Sequence, residues 1–311
     1  MTEAPTDHRE VILTEHQWTA RRDRHRYQVD ELLAAHLRRR AAHEKHPVHD
    51  FLFTYYRHRP AQLRQWHPGF GTVLLGAGRE YRDQRAYERV VVDGTPGVRV
   101  SSDTLDNRLS TLGFIAELLT RTGSRTAQLG CFGLHEWAMV YRTSSDDVRH
   151  STVPLRLGHA GTDAVVESMQ LRCSHYDAYR FFTPDAAPRN IEPLTRDDQL
   201  DREQPGCLHA GMDLYKWCYK LSPLIDSDLL LRCFRHAAAT RELDMRASPY
   251  DLSDYGYSPI TIETAPDAHS TSASRRRSPP APRTCDRTCS NDAPPCARAE
   301  PTYAPSYRRV T

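Results

Sequence analysis

Residues 208–221, LHAGMDLYKWCYKL, constrain the fold more than any other stretch. On a helix turning about 100° per residue, His209, Asp213, Lys216 and Lys220 fall in one stripe roughly 60° wide. The other positions are Leu208, Ala210, Gly211, Met212, Leu214, Tyr215, Trp217, Cys218, Tyr219 and Leu221. An ordinary surface helix buries one stripe and wets the rest. This segment must do the reverse, so it predicts a helix covered on most sides. Its polar stripe is then either a thin strip of surface or the lining of a pocket. Ordinary helix pairing of His209 with Asp213 and of Asp213 with Lys216 fits the first alternative. Mixed charges on a mostly buried helix suit the second.

The stripe also holds two of only three lysines, Lys45, Lys216 and Lys220, against 39 arginines. A lysine kept against that bias either does what arginine cannot or survives by chance. Its ammonium is compact and its pKa shifts easily, whereas a guanidinium is wide, planar and always charged.

The chain has 311 residues, enough for one large domain or two. With 42 basic and 40 acidic residues it lacks the strong excess charge common in nucleic-acid binders, although a local patch suffices. No apolar run approaches a membrane span, and the N-terminus has no apolar signal core, so we expect a cytoplasmic protein without a membrane partner. Of eight cysteines, Cys131, Cys173, Cys207, Cys218 and Cys233 sit singly among apolar neighbours, as buried small hydrophobes do. Cys285, Cys289 and Cys296 have no histidine at zinc-site spacing.

Residues 1–12 read as a loose leader and 13–265 as one mainly helical domain with a small β element near 72–102. A long helix is predicted from about Glu15 to His43. Its arginines, Arg21, Arg22, Arg24, Arg26 and Arg38 to Arg40, read first as a solvated face and alternatively as phosphate contacts. Pro47 opens VHDFLFTYY and Pro60 a short turn ending at Trp66. Val73 to Leu75, Val90 to Val92, and Val98 with Val100 read as strands, with turn signals at Asp93-Gly94 and Pro96-Gly97. A helix from Thr104 to Arg121 is capped by Ser102 and Asp103; another runs over Cys131 to Tyr141, and one over Leu224 to Leu243. Residues 165–182 fit strand or helix, and Ile260 to Ile262 a last strand. From Pro266 the text turns to Ser, Pro, Arg, Thr and Cys. With almost no aliphatic residues it cannot bury enough area to order itself, so disorder is expected over 266–311, and a reading-frame change would account for the break.

Chemistry-bearing residues cluster at HPVHD with Tyr55, at GLHEWAMVY with His135 and Glu136, at His175-Tyr176-Asp177, in the striped helix after Glu203, and in LDMRASPYDL. A metal would need ligands beyond His209 and Asp213, and the zincin spacing is absent after His135, so no metal and no cofactor is expected. No nucleophile elbow occurs. A buried carboxylate remains: Asp213, Glu136 and Asp177 are each flanked by aromatics. An Asp held charged by a lysine can stabilise a cationic transition state or activate water, or can simply form a structural pair.

The segments HPVHDFLFTYY, RPAQLRQWHPG, GLHEWAMVY, HYDAYRFFTP, EQPGCLHAGMDLYKW, LDMRASPYDL and YGYSPITIET resemble a family of actinobacterial proteins labelled 3-methyladenine DNA glycosylase. The resemblance runs roughly from Leu13 to Thr264. It implies excision of an alkylated purine from damaged DNA, which takes a flipped base stacked on aromatics beside a carboxylate. The chain has no Leu-Pro-Gly-x-Gly hairpin followed by an aspartate and no Cys/His zinc pattern, so no catalytic residue carries over by motif. Our assignment rests on the clusters: Asp213, His209, Lys216 and Glu136 as catalytic, with Trp217, Tyr215, Lys220, His135, His175, Asp177 and Tyr55 around the substrate. The alternatives are a small-molecule enzyme, such as a metal-dependent hydrolase, using the His209/Asp213/Lys216 stripe, and a non-catalytic interaction protein.

Overall fold

Each end of the first helix is set by local chemistry. Thr14 caps α1 (Glu15–Ala41): its hydroxyl accepts from the Gln17 amide, while Gln17 Oε1 accepts from the Thr14 amide at 3.0 Å. One turn on, Trp18 is buried and donates its indole N–H to the Leu75 carbonyl at 2.9 Å, fastening the helix to the sheet. The computed structural model describes residues 10–77, 79–143 and 153–264, all within one compact unit. The expected disordered tail, 266–311, lies outside the described residues.

The chain is mainly helical. A sheet of β1 (Val11–Leu13), β2 (Thr72–Leu75), β3 (Tyr87–Val92) and β4 (Thr95–Val100) runs in the order β1-β2-β4-β3. Between these lie α2 (Phe51–Tyr55), α3 (Pro60–Arg64) and α4 (Arg79–Arg82). Then follow α5 (Ser102–Asp106), α6 (Leu109–Ser124), α7 (Leu134–Ala138), α8 (Gly158–Ser168), α9 (Tyr176–Tyr179), α10 (Gln199–Arg202), α11 (Leu208–Lys220) and α12 (Ser227–Arg246).

Several local expectations are corrected. Val11 and Ile12, read as leader, pair in parallel with Thr72 and Val73. Asp93 and Gly94 form the expected hairpin turn, both at positive φ (49° and 76°), as a two-residue turn of this hand requires. Pro96 and Gly97 form no second turn; they belong to β4, where Gly97 faces both Leu75 and Val90 across the ladders. A Cβ at Gly97 would meet the Leu74 carbonyl at 2.9 Å, so glycine here permits close strand approach. The helix expected over 104–121 is two, α5 and α6, and its cap is Ser101, whose hydroxyl accepts from the Thr104 amide. The ambiguous stretch 165–182 ends α8 and forms α9, and Ile260 to Ile262 forms no strand.

The striped segment becomes α11, and its circumference meets three separate apolar clusters. Met212 and Tyr215 pack with Val29, Leu63 and Phe234; Trp217 and Leu221 pack with Ile115 and Leu118; Leu208 joins Phe132 and Trp137. Burying a side chain as large as Met212 is worth about 1.5–3 kcal/mol. That apolar surface is what draws α1, α6 and α12 around α11. Asp226 caps α12, accepting from the Leu229 amide at 2.8 Å, which fixes where the α11–α12 hairpin turns back.

Candidate functional site

Two different environments divide the stripe of α11. At its C-terminal end Lys216 lies between two carboxylates, with Nζ donating to Asp213 Oδ2 at 2.6 Å and to Asp177 Oδ2 at 2.9 Å. Asp177 is supplied by α9, whose short turn aims it at α11. Asp213 is fully buried and also accepts from the Tyr56 hydroxyl at 3.0 Å. His175 Nε2 lies 3.3 Å from Asp213 and 3.4 Å from Glu203. Burial opposes ionisation of Asp213, but His175 and Lys216 outweigh it and hold the carboxyl far below the usual range. Burial likewise opposes charge on Asp177, and Lys216 prevails. Lys216 loses hydration, yet its two carboxylates keep the ammonium charged well above its ordinary range. Glu203 shifts upward, driven by burial.

This end opens on a cavity of about 790 Å³. Its charged lining is Lys45, Arg57, Arg180, Arg196, Lys216 and Lys220 against Asp50 and Asp177. Its aromatic lining includes Phe51, Tyr55, Tyr56, Phe181, Tyr219 and Tyr255. All three lysines of the chain therefore meet in one concavity. Tyr55 and Phe51 stack at 5.0 Å, 10° from parallel, and burial together with Asp213 pushes the Tyr55 phenol up to about 12. A second cavity of about 550 Å³ shares Asp177, Arg196, Lys216 and Lys220 and adds Trp217 and Phe114. Lys216 and Lys220 lie over the Trp217 ring at 4.4 and 5.3 Å. Burial and the neighbouring Lys216 lower the pKa of Lys220.

The N-terminal end of the stripe is buried. His209 packs edge to face on His135, ring centres 4.4 Å apart, and lies 5.4 Å from the His175 ring. His135 Nε2 is 2.9 Å from Asp244 Oδ1, and all three residues are buried. Arg241 is buried beside them, donating to Glu136 at 2.6 Å and Asp244 Oδ2 at 3.0 Å over the Phe51 ring. Burial and the His135 charge drive His209 well below its ordinary pKa; for His135 the penalty of burial is overcome by Asp244, which holds the ring above it. The group His135, His209 and Asp244 has the spacing to hold a metal ion.

The candidate residues thus separate. Tyr55, Asp177, Lys216 and Lys220 line the larger cavity and Trp217 the smaller, with Asp213 and His175 directly behind. His135, His209 and Glu136 belong to the buried cluster and line neither cavity. Tyr215 is fully buried, hydrogen-bonded to His58 Nδ1 at 2.7 Å, and serves the core. Lys45, Arg57, Arg180 and Arg196 were not anticipated; for Lys45 the rarity of lysine was a usable signal, while no pattern marks the arginines among 39. The arginine face of α1 is partly committed elsewhere, since Arg22 and Arg26 both pair with Glu80. Among the described residues no helix is long and apolar enough to cross a membrane. Comparison with protein-family models, curated proteins and solved structures finds no match.

Proposed function

We propose that the larger cavity binds a nucleotide unit of damaged DNA and that the protein cleaves the N-glycosidic bond of an alkylated purine there, acting in the cytoplasm. The observation that carries this reading is the convergence of all three lysines with three arginines and a stacked aromatic pair in one cavity, where Lys216 holds the lining carboxylate of Asp177 ionised. Arginine and lysine answer phosphate, and aromatic faces take a flipped base whatever its identity. Departure of the base leaves positive charge on the sugar, and a carboxylate kept ionised stabilises that charge and orients the attacking water. Asp177 suits the role better than Asp213, because it lines the cavity whereas Asp213 is fully buried behind Lys216. Lys216 then acts as the positioning residue that keeps Asp177 charged, and Asp213 holds Lys216 in place from behind. The resemblance to the actinobacterial glycosylase-labelled family agrees with this substrate class.

The test is release of 3-methyladenine from alkylated DNA by the purified chain. Release is expected, with loss of at least two orders of magnitude in Asp177→Asn at unchanged melting temperature. Folded wild-type protein that releases no base sinks the reading. Metal-dependent hydrolysis in the cavity is less favoured, since none of His135, His209 and Asp244 lines it.

A further inference from the structure

We propose that His135, His209 and Asp244 bind a divalent transition-metal ion of the zinc class at the junction of α7, α11 and α12. One ligand atom from each residue lies within 4.8 Å of the others, and all three residues are at least nine-tenths buried. His135 Nε2 and Asp244 Oδ1 are only 2.9 Å apart, yet they are not aligned for a hydrogen bond. His209 Nδ1 likewise has no hydrogen-bond partner. Each buried polar atom left without one costs about 1–3 kcal/mol. Two atoms this close that do not point at each other are directed at a third place. Two ligands about 2.0–2.2 Å from one ion come this close at a ligand–ion–ligand angle of about 90°, narrower than the tetrahedral angle.

The surroundings fit the same conclusion. Arg241 engages Asp244 through Oδ2 at 3.0 Å, which fixes the carboxylate and leaves Oδ1 facing the histidines. Cys131 Sγ lies 3.8 Å from His135 Nδ1 on the far side of the ring, as an outer contact that orients a ligating imidazole does. Two imidazoles and one carboxylate are borderline ligands, suited to zinc, cobalt or iron(II) rather than to magnesium or calcium. The three ligands line neither cavity, so the ion's role is to hold three helices in register, and this proposal stands independently of the glycosylase reading.

The experiment uses the full chain. Metal analysis after expression with zinc is expected to find one ion per chain, and chelation is expected to lower the melting temperature. Titrating the chelated chain with cobalt(II) alone is expected to give visible bands of nitrogen and oxygen coordination, restored melting temperature, and loss of both in His209→Gln and Asp244→Asn. Folded wild-type protein that neither retains zinc nor takes up cobalt overturns the proposal, even if the variants do not fold. A thiolate-to-cobalt charge-transfer band overturns it too, since the ion would then sit on cysteines, and so does uptake unchanged in both variants.

Discussion

At Lys216 a single ammonium is hydrogen-bonded to two carboxylates, and about nine-tenths of the residue is out of water. A guanidinium is wider and presents its donors in a planar fork, so it cannot occupy the same point between Asp213 and Asp177. Lys216→Arg is therefore expected to destabilise the fold by about 2–3 kcal/mol in urea unfolding, through overpacking and an imperfectly paired buried charge. Lys220 is exposed at the cavity rim, so Lys220→Arg is expected to stay within about 0.5 kcal/mol of wild type in the same measurement. Equal effects at the two positions would contradict this division. The scarcity of lysine flagged both residues equally. Which of them is pinned between acids depended on Asp177, which lies 39 positions upstream of Lys216.

Among the elements, α11 followed from its sequence because its apolar side chains leave only a narrow polar stripe, a pattern no exposed helix tolerates. The boundary between α5 and α6 did not follow, because the apolar period is continuous across Asn107 and Arg108 while the backbone is not. Glycines discriminate further between elements. Gly113 lies inside α6 with nothing within 4 Å of where a Cβ would be, so Gly113→Ala is expected to stabilise by about 1 kcal/mol, seen as a higher melting temperature. Gly133 precedes α7 at φ +64°, and a Cβ there would fall 2.6 Å from Ala247 Cβ. Gly133→Ala is expected to destabilise by at least 2 kcal/mol, roughly, by pushing α7 off the end of α12. Because α7 carries His135 and α12 carries Asp244, that variant is also expected to weaken metal uptake. Tolerance of alanine at Gly133 would show that this contact does not set the helix packing.

For the whole molecule, buried neutral histidines set a dependence on acid. His58, bonded to the Tyr215 hydroxyl, and His67, bonded to the Tyr87 hydroxyl, are each pushed by burial down to about 4 from an ordinary 6.5. Between those values the unfolded chain takes up protons that the native chain refuses, so stability falls as pH drops from about 6.5 to about 4. The two sites together set a loss on the order of several kcal/mol over that window, and none of it above the ordinary value. Urea midpoints measured from pH 7 to 4 are expected to fall steeply in wild type and less steeply in His58→Asn with His67→Asn. Identical slopes would rule these two sites out as the source.

The mainly helical class, the small sheet near 72–102, and the striped helix were legible because each is written in a local period: apolar side chains at helical spacing, valines at strand spacing, glycine and proline between. Membership of Tyr55, Asp177, Lys216 and Lys220 in one concavity was not local. It required α2 to pack on α11 through Leu52, Met212 and Tyr215, and α9 to join the cluster of Leu208 through Ala178. The division of the stripe was hidden for the same reason. His209 and Lys216 share a helix face, but one is sealed against His135 and Asp244 while the other opens on a cavity. The sequence by itself determined that α11 must be buried on most sides and that its polar stripe must meet either water or partners, because unpaired charge in an apolar interior is too costly to persist. Only the tertiary structure decided which partners those are, because they come from positions 135, 177 and 244, and chain separation carries no information about distance once the core has closed around them.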